Sequence, residues 1–307
     1  MTESKTIVMS IKDVISKFNI LGLIYLIYLI IILLLNYFTK DIALFLVKYI
    51  DIQYELLMSI LLLIGVLVSG ILLFSYFRIH SKITNKEIIR KTNIKLPYIE
   101  LSILALSSCL LGTFLTSLIS TFLPLGITLM NPIGINILDY NNLNIIMIIL
   151  LIIVCPIVEE YIFRGITLRF LGRFSNRFGV ICTSIIFSLF HLQVVQIIPS
   201  FIFSYILCLV TLRYKSIIPS IIVHSITNLS LLFLVSSFNT NNYIYLIIII
   251  IILYLASIYI VAKFYNNRVI IPYEPDSNML IKLLLKRFSF IIIFIIIFVF
   301  NILILNN

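Results

Sequence analysis

The stretch Leu143–Gly165, LNIIMIILLIIVCPIVEEYIFRG, carries no charge until Glu159, then places two carboxylates and a guanidinium within six residues. An apolar run of this length has the span of a transmembrane helix. A charge at the centre of such a helix costs about 2.5–3.5 kcal/mol on insertion scales, so ionisable groups inside it mark a working site. Neighbouring helical residues point about 100° apart, so Glu159 and Glu160 cannot share one direction. Glu160 and Arg164 stand at i and i+4 with the acid N-terminal, the favoured order for an ion pair. Glu159 is left without a local partner. The expectation is that Glu159 does chemistry and that Glu160 holds the frame.

The remainder of the chain is built like this stretch. Of 307 residues, 62% are hydrophobic and 11% charged, and the mean hydropathy is +1.21. A soluble fold does not tolerate that composition, whereas a polytopic bundle requires it. Apolar runs fall at 18–38, 56–77, 98–123, 143–163, 178–198, 199–212, 217–236, 243–262 and 288–305. The short sixth run makes the expected count eight or nine spans in an all-α transmembrane bundle. The run at 18–38 is too long for a signal-peptide core and reads as a retained helix.

The net charge of +10 serves topology, because 20 of the 22 basic residues fall on alternate loops and only Lys40 and Lys48 on the other side. Cytoplasmic loops collect Lys and Arg, so the N-terminus is expected in the cytoplasm. No nucleic-acid partner is expected. The segment 123–142, with Pro124, Gly126, Pro132 and Gly134, reads as an extracytoplasmic loop, and 266–286 as a cytoplasmic connector. Cys109, Cys155, Cys182 and Cys208 all lie in apolar runs without a CxxC pair, so they read as small buried hydrophobes.

Polar side chains inside the spans are scarce, and each costs several kcal/mol when unpaired in hydrocarbon, so they are expected to converge. Of the three histidines, His80 reads as a solvated loop residue, whereas His191 and His224 interrupt apolar runs. Phe187 is one turn before His191, and Asn228 one turn after His224, each on the same helical face. An interhelical hydrogen bond would account for one such histidine alone; two of them with a glutamate pair point to chemistry. A carboxylate beside an imidazole can take a proton from water and pass it to a leaving amine. A second histidine with an amide can donate to a developing oxyanion. No serine or cysteine has an evident base, so water is the expected nucleophile. Glu159, His191 and His224 could instead hold zinc, although the HExxH spacing is absent. A proton pathway is less favoured, since no internal repeat is present.

Glu159-Glu160-x-x-x-Arg164, Phe187-x-x-x-His191 and His224-x-x-x-Asn228, in that order on successive helices, resemble the CPBP family. That family comprises type II CAAX prenyl endopeptidases and bacteriocin-processing or immunity proteins, also called Abi proteins. The flanks are similar too: Pro156, Phe163-Arg164-Gly165 and Pro219-Ser220. The resemblance covers 143–236 and implies an intramembrane glutamate-type peptidase without a cofactor, zinc being the alternative. It implies that Glu159 and His191 activate water and that His224 and Asn228 stabilise the oxyanion. Glu160, Arg164 and Phe187 would support them. The expected organisation is one membrane domain over 1–307, with 143–236 as catalytic core and 18–123 and 243–305 as accessory helices. The expected partners are membrane lipid and a membrane-associated or lipidated peptide, in the plasma membrane of a prokaryote. A non-enzymatic immunity protein that binds a bacteriocin-like peptide is the alternative. The sequence sets no oligomeric state.

Overall fold

The computed structural model describes residues 11–50, 53–90, 97–122, 145–192, 194–238, 243–266 and 276–305. The expected 123–142 loop and residues 267–275 of the expected 266–286 connector lie outside these, whereas the rest of that connector is mainly helix, Asp276–Leu285. Among the described residues every regular element is helical. The first four helices are α1 (Ile11–Leu46), α2 (Tyr54–His80), the single turn α3 (Asn85–Ile88) and α4 (Tyr98–Phe122). A continuous rod follows, built from α5 (Ile145–Ile149), a π turn Leu150–Val154, α6 (Cys155–Glu160), a second π turn Tyr161–Thr167 and α7 (Leu168–Gly172). The chain then forms α8 (Asn176–Leu189), α9 (Val194–Tyr214), α10 (Ile218–Phe238), α11 (Tyr243–Asn266), α12 (Asp276–Leu285) and α13 (Phe288–Leu305).

Among the described residues, four helices are long and apolar enough to cross a membrane: Lys12–Leu46, Leu56–His80, Tyr98–Ile119 and Gln196–Tyr214. Shorter apolar helices run over Asn176–Leu189, Ile218–Leu234, Ile248–Ile260 and Phe288–Val299. Their outer faces carry bare Leu72, Tyr259 and Phe298. That much exposed apolar surface suits lipid rather than water.

Two sequence boundaries move. Pro199 does not open a new helix but lies inside α9. The break falls at Phe190–Leu192, where Leu192 takes a left-handed φ of 59°. Pro199 is the sixth residue of α9, so it removes one i→i−4 hydrogen bond without ending the helix. His80 is the last residue of α2, exposed, rather than a loop residue.

The rod runs through the middle, with α2, α8 and α10 against it, while α9 packs on α4, α8 and α10. α4 and α9 meet almost backbone to backbone: a Cβ on Gly112 would stand 2.4 Å from Pro199 Cα. Small residues permit such approach in membrane bundles. At one end of the rod, Arg173 donates to the carbonyls of Ser81 (2.7 Å) and Lys82 (3.1 Å) and to Glu87 (3.2 Å). Thr84 and Glu87 cap α3 reciprocally, and Ile217 N–H donates to the Ile88 carbonyl at 3.1 Å. The α2–α3 loop is thereby tied to the rod and to the α9–α10 turn.

Two outcomes follow from this packing. Gly112→Ala overpacks the α4–α9 contact and is expected to cost about 1–3 kcal/mol, read as a lower thermal midpoint in detergent; an unchanged midpoint means that the helices do not approach so closely. Burial raises the Glu87 carboxyl, but hydrogen bonds from Arg173 and Thr84 outweigh it, so the group sits below its ordinary value. Its contribution is present above the ordinary carboxylate range and lost as pH falls through the depressed value. Amide exchange over Ser81–Ile88 is therefore expected to quicken on acidification in the wild type and to be insensitive to that change in Glu87→Gln.

Candidate active site

The glutamate pair occupies the one turn of α-helix between two π turns, and a π turn inserts one extra residue per hydrogen-bonded ring. In the first, Cys155 N–H bonds to the Leu150 carbonyl, five residues back. The next N–H in that register would serve Leu151, but it belongs to Pro156, which has none. Asn228 of α10 supplies the missing donor, its Nδ2 lying 3.1 Å from the Leu151 carbonyl. In the second, Thr167 Oγ1 donates to the Ile162 carbonyl at 3.0 Å, again five residues back. The π turns and α10 thus set the direction in which Glu159 and Glu160 point.

Glu160 and Arg164 are both fully buried and paired at 2.9 Å. The same Glu160 Oε1 faces His224 Nδ1 at 2.9 Å. A carboxylate oxygen already receiving an arginine proton can only accept, so Nδ1 of His224 is the protonated nitrogen. Its other nitrogen, Nε2, lies 3.8 Å from Glu159 Oε2, and Glu159 is 34% exposed where Glu160 is sealed. Two adjacent carboxylates therefore live in different surroundings, one dry and bonded, one open at its tip.

Phe187 links the parts. Arg164 lies over its ring, with the guanidinium carbon 4.6 Å from the centroid, a cation–π contact. The rings of His191 and His224 lie 4.8 and 6.3 Å from it. Arg164 Nη2 also donates to the Ser204 carbonyl at 3.3 Å, and Phe203 sets its edge against His224 at 4.9 Å. His191 sits in the turn beyond α8, with Nδ1 3.0 Å from the Phe187 carbonyl. A carbonyl accepts, so Nδ1 carries the proton and Nε2 keeps its lone pair. The Glu159 charge reaches His191 electrostatically.

Glu159, Glu160, Arg164, Phe187, His191 and His224 are therefore gathered in one cluster, with Asn228 one turn along α10 and bonded to the rod backbone. Glu159 pairs with His224 Nε2 at 3.8 Å, where the resemblance pairs it with His191. Phe203, the Ser204 carbonyl and the Leu151 carbonyl were not read from the sequence: two are backbone groups and the third is one phenylalanine among 23. Zinc, the alternative, would be met by Glu159 and by the Nε2 atoms of His191 and His224, whose Nδ1 atoms are bonded elsewhere. Among the described residues no three His, Cys, Asp or Glu side chains are grouped as an ion needs.

Residues 141–230 match the family model described as type II CAAX prenyl endopeptidase Rce1-like. The segment is similar to that family. The match contains every residue of the cluster and bears out the resemblance to the CPBP family. No curated protein and no solved structure gives a significant match. Within the Rce1-like segment the buried ion pair makes a sharp prediction. Arg164→Ala leaves the Glu160 charge buried with less compensation, an expected loss of about 3–5 kcal/mol. Thermal unfolding in detergent measures it, and an unchanged midpoint contradicts the pairing.

Proposed function

We propose that the protein is an intramembrane endopeptidase that hydrolyses a peptide bond of a membrane-associated or lipidated peptide, with Glu159 as the residue that activates water. The observation that carries this reading is the contrast within the glutamate pair. Glu160 is sealed and locks His224 Nδ1, while Glu159 is about a third exposed and faces His224 Nε2. A water beside Glu159 has a carboxylate acceptor, and His191, packed on the Phe187 ring, offers an imidazole lone pair. The pairing of His191 with Glu159 in this step follows the family resemblance.

In the proposed reaction the water oxygen attacks the scissile carbonyl carbon, and its proton passes to Glu159, assisted by His191. The carbonyl π electrons move to oxygen. A protonated His224, bonded through Nδ1–H to Glu160, donates from Nε2–H to that oxyanion, and the second N–H of the Asn228 amide is the other donor. The first Asn228 N–H stays on Leu151. Collapse of the intermediate breaks the C–N bond, and the proton held by Glu159 goes to the leaving amine. Every proton is returned, and no covalent enzyme intermediate or metal enters. The reading places the protein as a multi-pass membrane protein with its N-terminus in the cytoplasm, as the basic loops expect.

The test is cleavage of lipidated and amphipathic peptides by purified protein in liposomes. Glu159→Gln is expected to lower kcat at least about 100-fold, the scale of general base catalysis, with an unchanged thermal midpoint. His191→Ala is expected to fall similarly. Equal cleavage by wild type and both variants removes the catalytic assignment. Protection against a peptide toxin that survives Glu159→Gln, without any cleavage, favours an immunity protein instead.

A further inference from the structure

His191 is the site residue whose position no helix determines. α8 ends at Leu189, and the turn that carries His191 is closed by Leu192 in the left-handed region, a conformation that costs a branched-chain residue roughly 1–2 kcal/mol. Backbone bonds close the turn, among them Phe190 N–H to Ile186 at 3.2 Å, His191 N–H to Ser188 at 3.3 Å and Leu192 N–H to Leu189 at 3.1 Å. The ring's Nδ1–H donates to the Phe187 carbonyl at 3.0 Å, but something else must fix the turn that carries it.

That something is the neighbouring side chain. Phe190 is clasped by two tyrosines of α1, a helix outside the Rce1-like segment. Tyr28 stacks on it at 5.5 Å with planes 16° apart, and Tyr25 lies 5.1 Å away. The tyrosines are themselves fixed. Tyr25 Oη bonds Thr167 Oγ1 of the rod at 2.6 Å, and Tyr28 Oη donates to the Val66 carbonyl at 3.3 Å. Phe74 sets its edge against both, at 4.8 and 5.7 Å. Gly70 of α2 clears the space: a Cβ there would stand 3.0 Å from Tyr28 Oη and 2.8 Å from Ile162 Cδ1, in the rod three residues past Glu159. The slot thus spans α1, α2 and the rod, and its rear wall is anchored where the glutamates are.

We propose that Tyr28, with Tyr25, is a positioning residue: the tyrosine slot holds Phe190 and thereby sets the pose of the His191 imidazole toward Glu159. The catalytic half of this inference rests on the peptidase reading above. It makes α1 part of the working site, and it assigns the effect to the Tyr28 ring, since its hydroxyl donates to a backbone carbonyl of α2, that of Val66.

The experiment compares wild type, Tyr28→Phe, Tyr28→Leu and Phe190→Leu in full-length protein in lipid. Two readouts are taken: kcat and KM for a cleaved peptide, and the exchange rate of the His191 Nδ1 proton by NMR, assigned by its loss in His191→Ala. Misplacement of a reacting group by about 1 Å can cost up to 100-fold. Tyr28→Leu is therefore expected to lower kcat at least about tenfold with KM within about twofold, and to speed Nδ1 exchange by a similar factor. Phe190→Leu, which empties the slot from the other side, is expected to do the same if Tyr28→Leu does not fold. Tyr28→Phe keeps the ring and is expected to stay within about twofold on both readouts. Unchanged kcat and exchange in the leucine variants, or an equal fall in Tyr28→Phe, overturns the proposal. If no peptide is cleaved by wild type yet exchange quickens in the leucine variants, the positioning stands and the peptidase reading falls.

Discussion

The structure depends on one buried set of charges. Glu160 accepts from Arg164 and from His224 through a single oxygen, and all three side chains are out of reach of solvent or nearly so. A buried ion pair gains little over an apolar pair of the same shape, but breaking one is severe, because the surviving charge has no water to turn to. The arrangement is thus better at enforcing one geometry than at adding stability. Arg164 requires acceptors and a ring face, and these come from Ser204 of α9 and Phe187 of α8. Glu160 requires a second donor, and that comes from α10. Three helices are held to the rod because a charge demanded partners from each.

Irregular backbone then aims the second glutamate. In an unbroken α-helix the rod would present Glu159 and Glu160 according to a single pitch. The two π turns isolate them on a short α segment, and Pro156 removes the N–H that would serve the Leu151 carbonyl. Asn228 fills that place. One amide therefore joins the rod to the helix bearing His224, and the donor that α10 aims at the site stays tied to the backbone carrying the acid.

How much of this was legible in the sequence depended on separation along the chain. The Glu160–Arg164 pair is local, and its spacing alone announced it. The clustering of His191 and His224 with the glutamates could be anticipated from the scarcity of polar groups in apolar runs, but the partner of His224 could not: Glu160 is 64 residues away. The helix break was legible only in the wrong place, since Pro199 is a conspicuous residue inside a continuous helix while the true break, at Phe190–Leu192, has ordinary residues. The role of α1 was hidden for a related reason. A helix that is apolar all round shows no stripe, so nothing in its sequence sets buried Tyr25 and Tyr28 apart from exposed Leu23 and Ile30.

The central claim is that a dry carboxylate holds His224 by Nδ1 and turns Nε2 toward Glu159. Nitrogen-15 NMR of the labelled imidazole in the folded protein in lipid reads this without any substrate. The account predicts a protonated, hydrogen-bonded Nδ1 on His224 that loses its hydrogen-bond signature when Glu160 is replaced by alanine. A bare Nδ1, with the proton on Nε2 alone in the wild type, would contradict it.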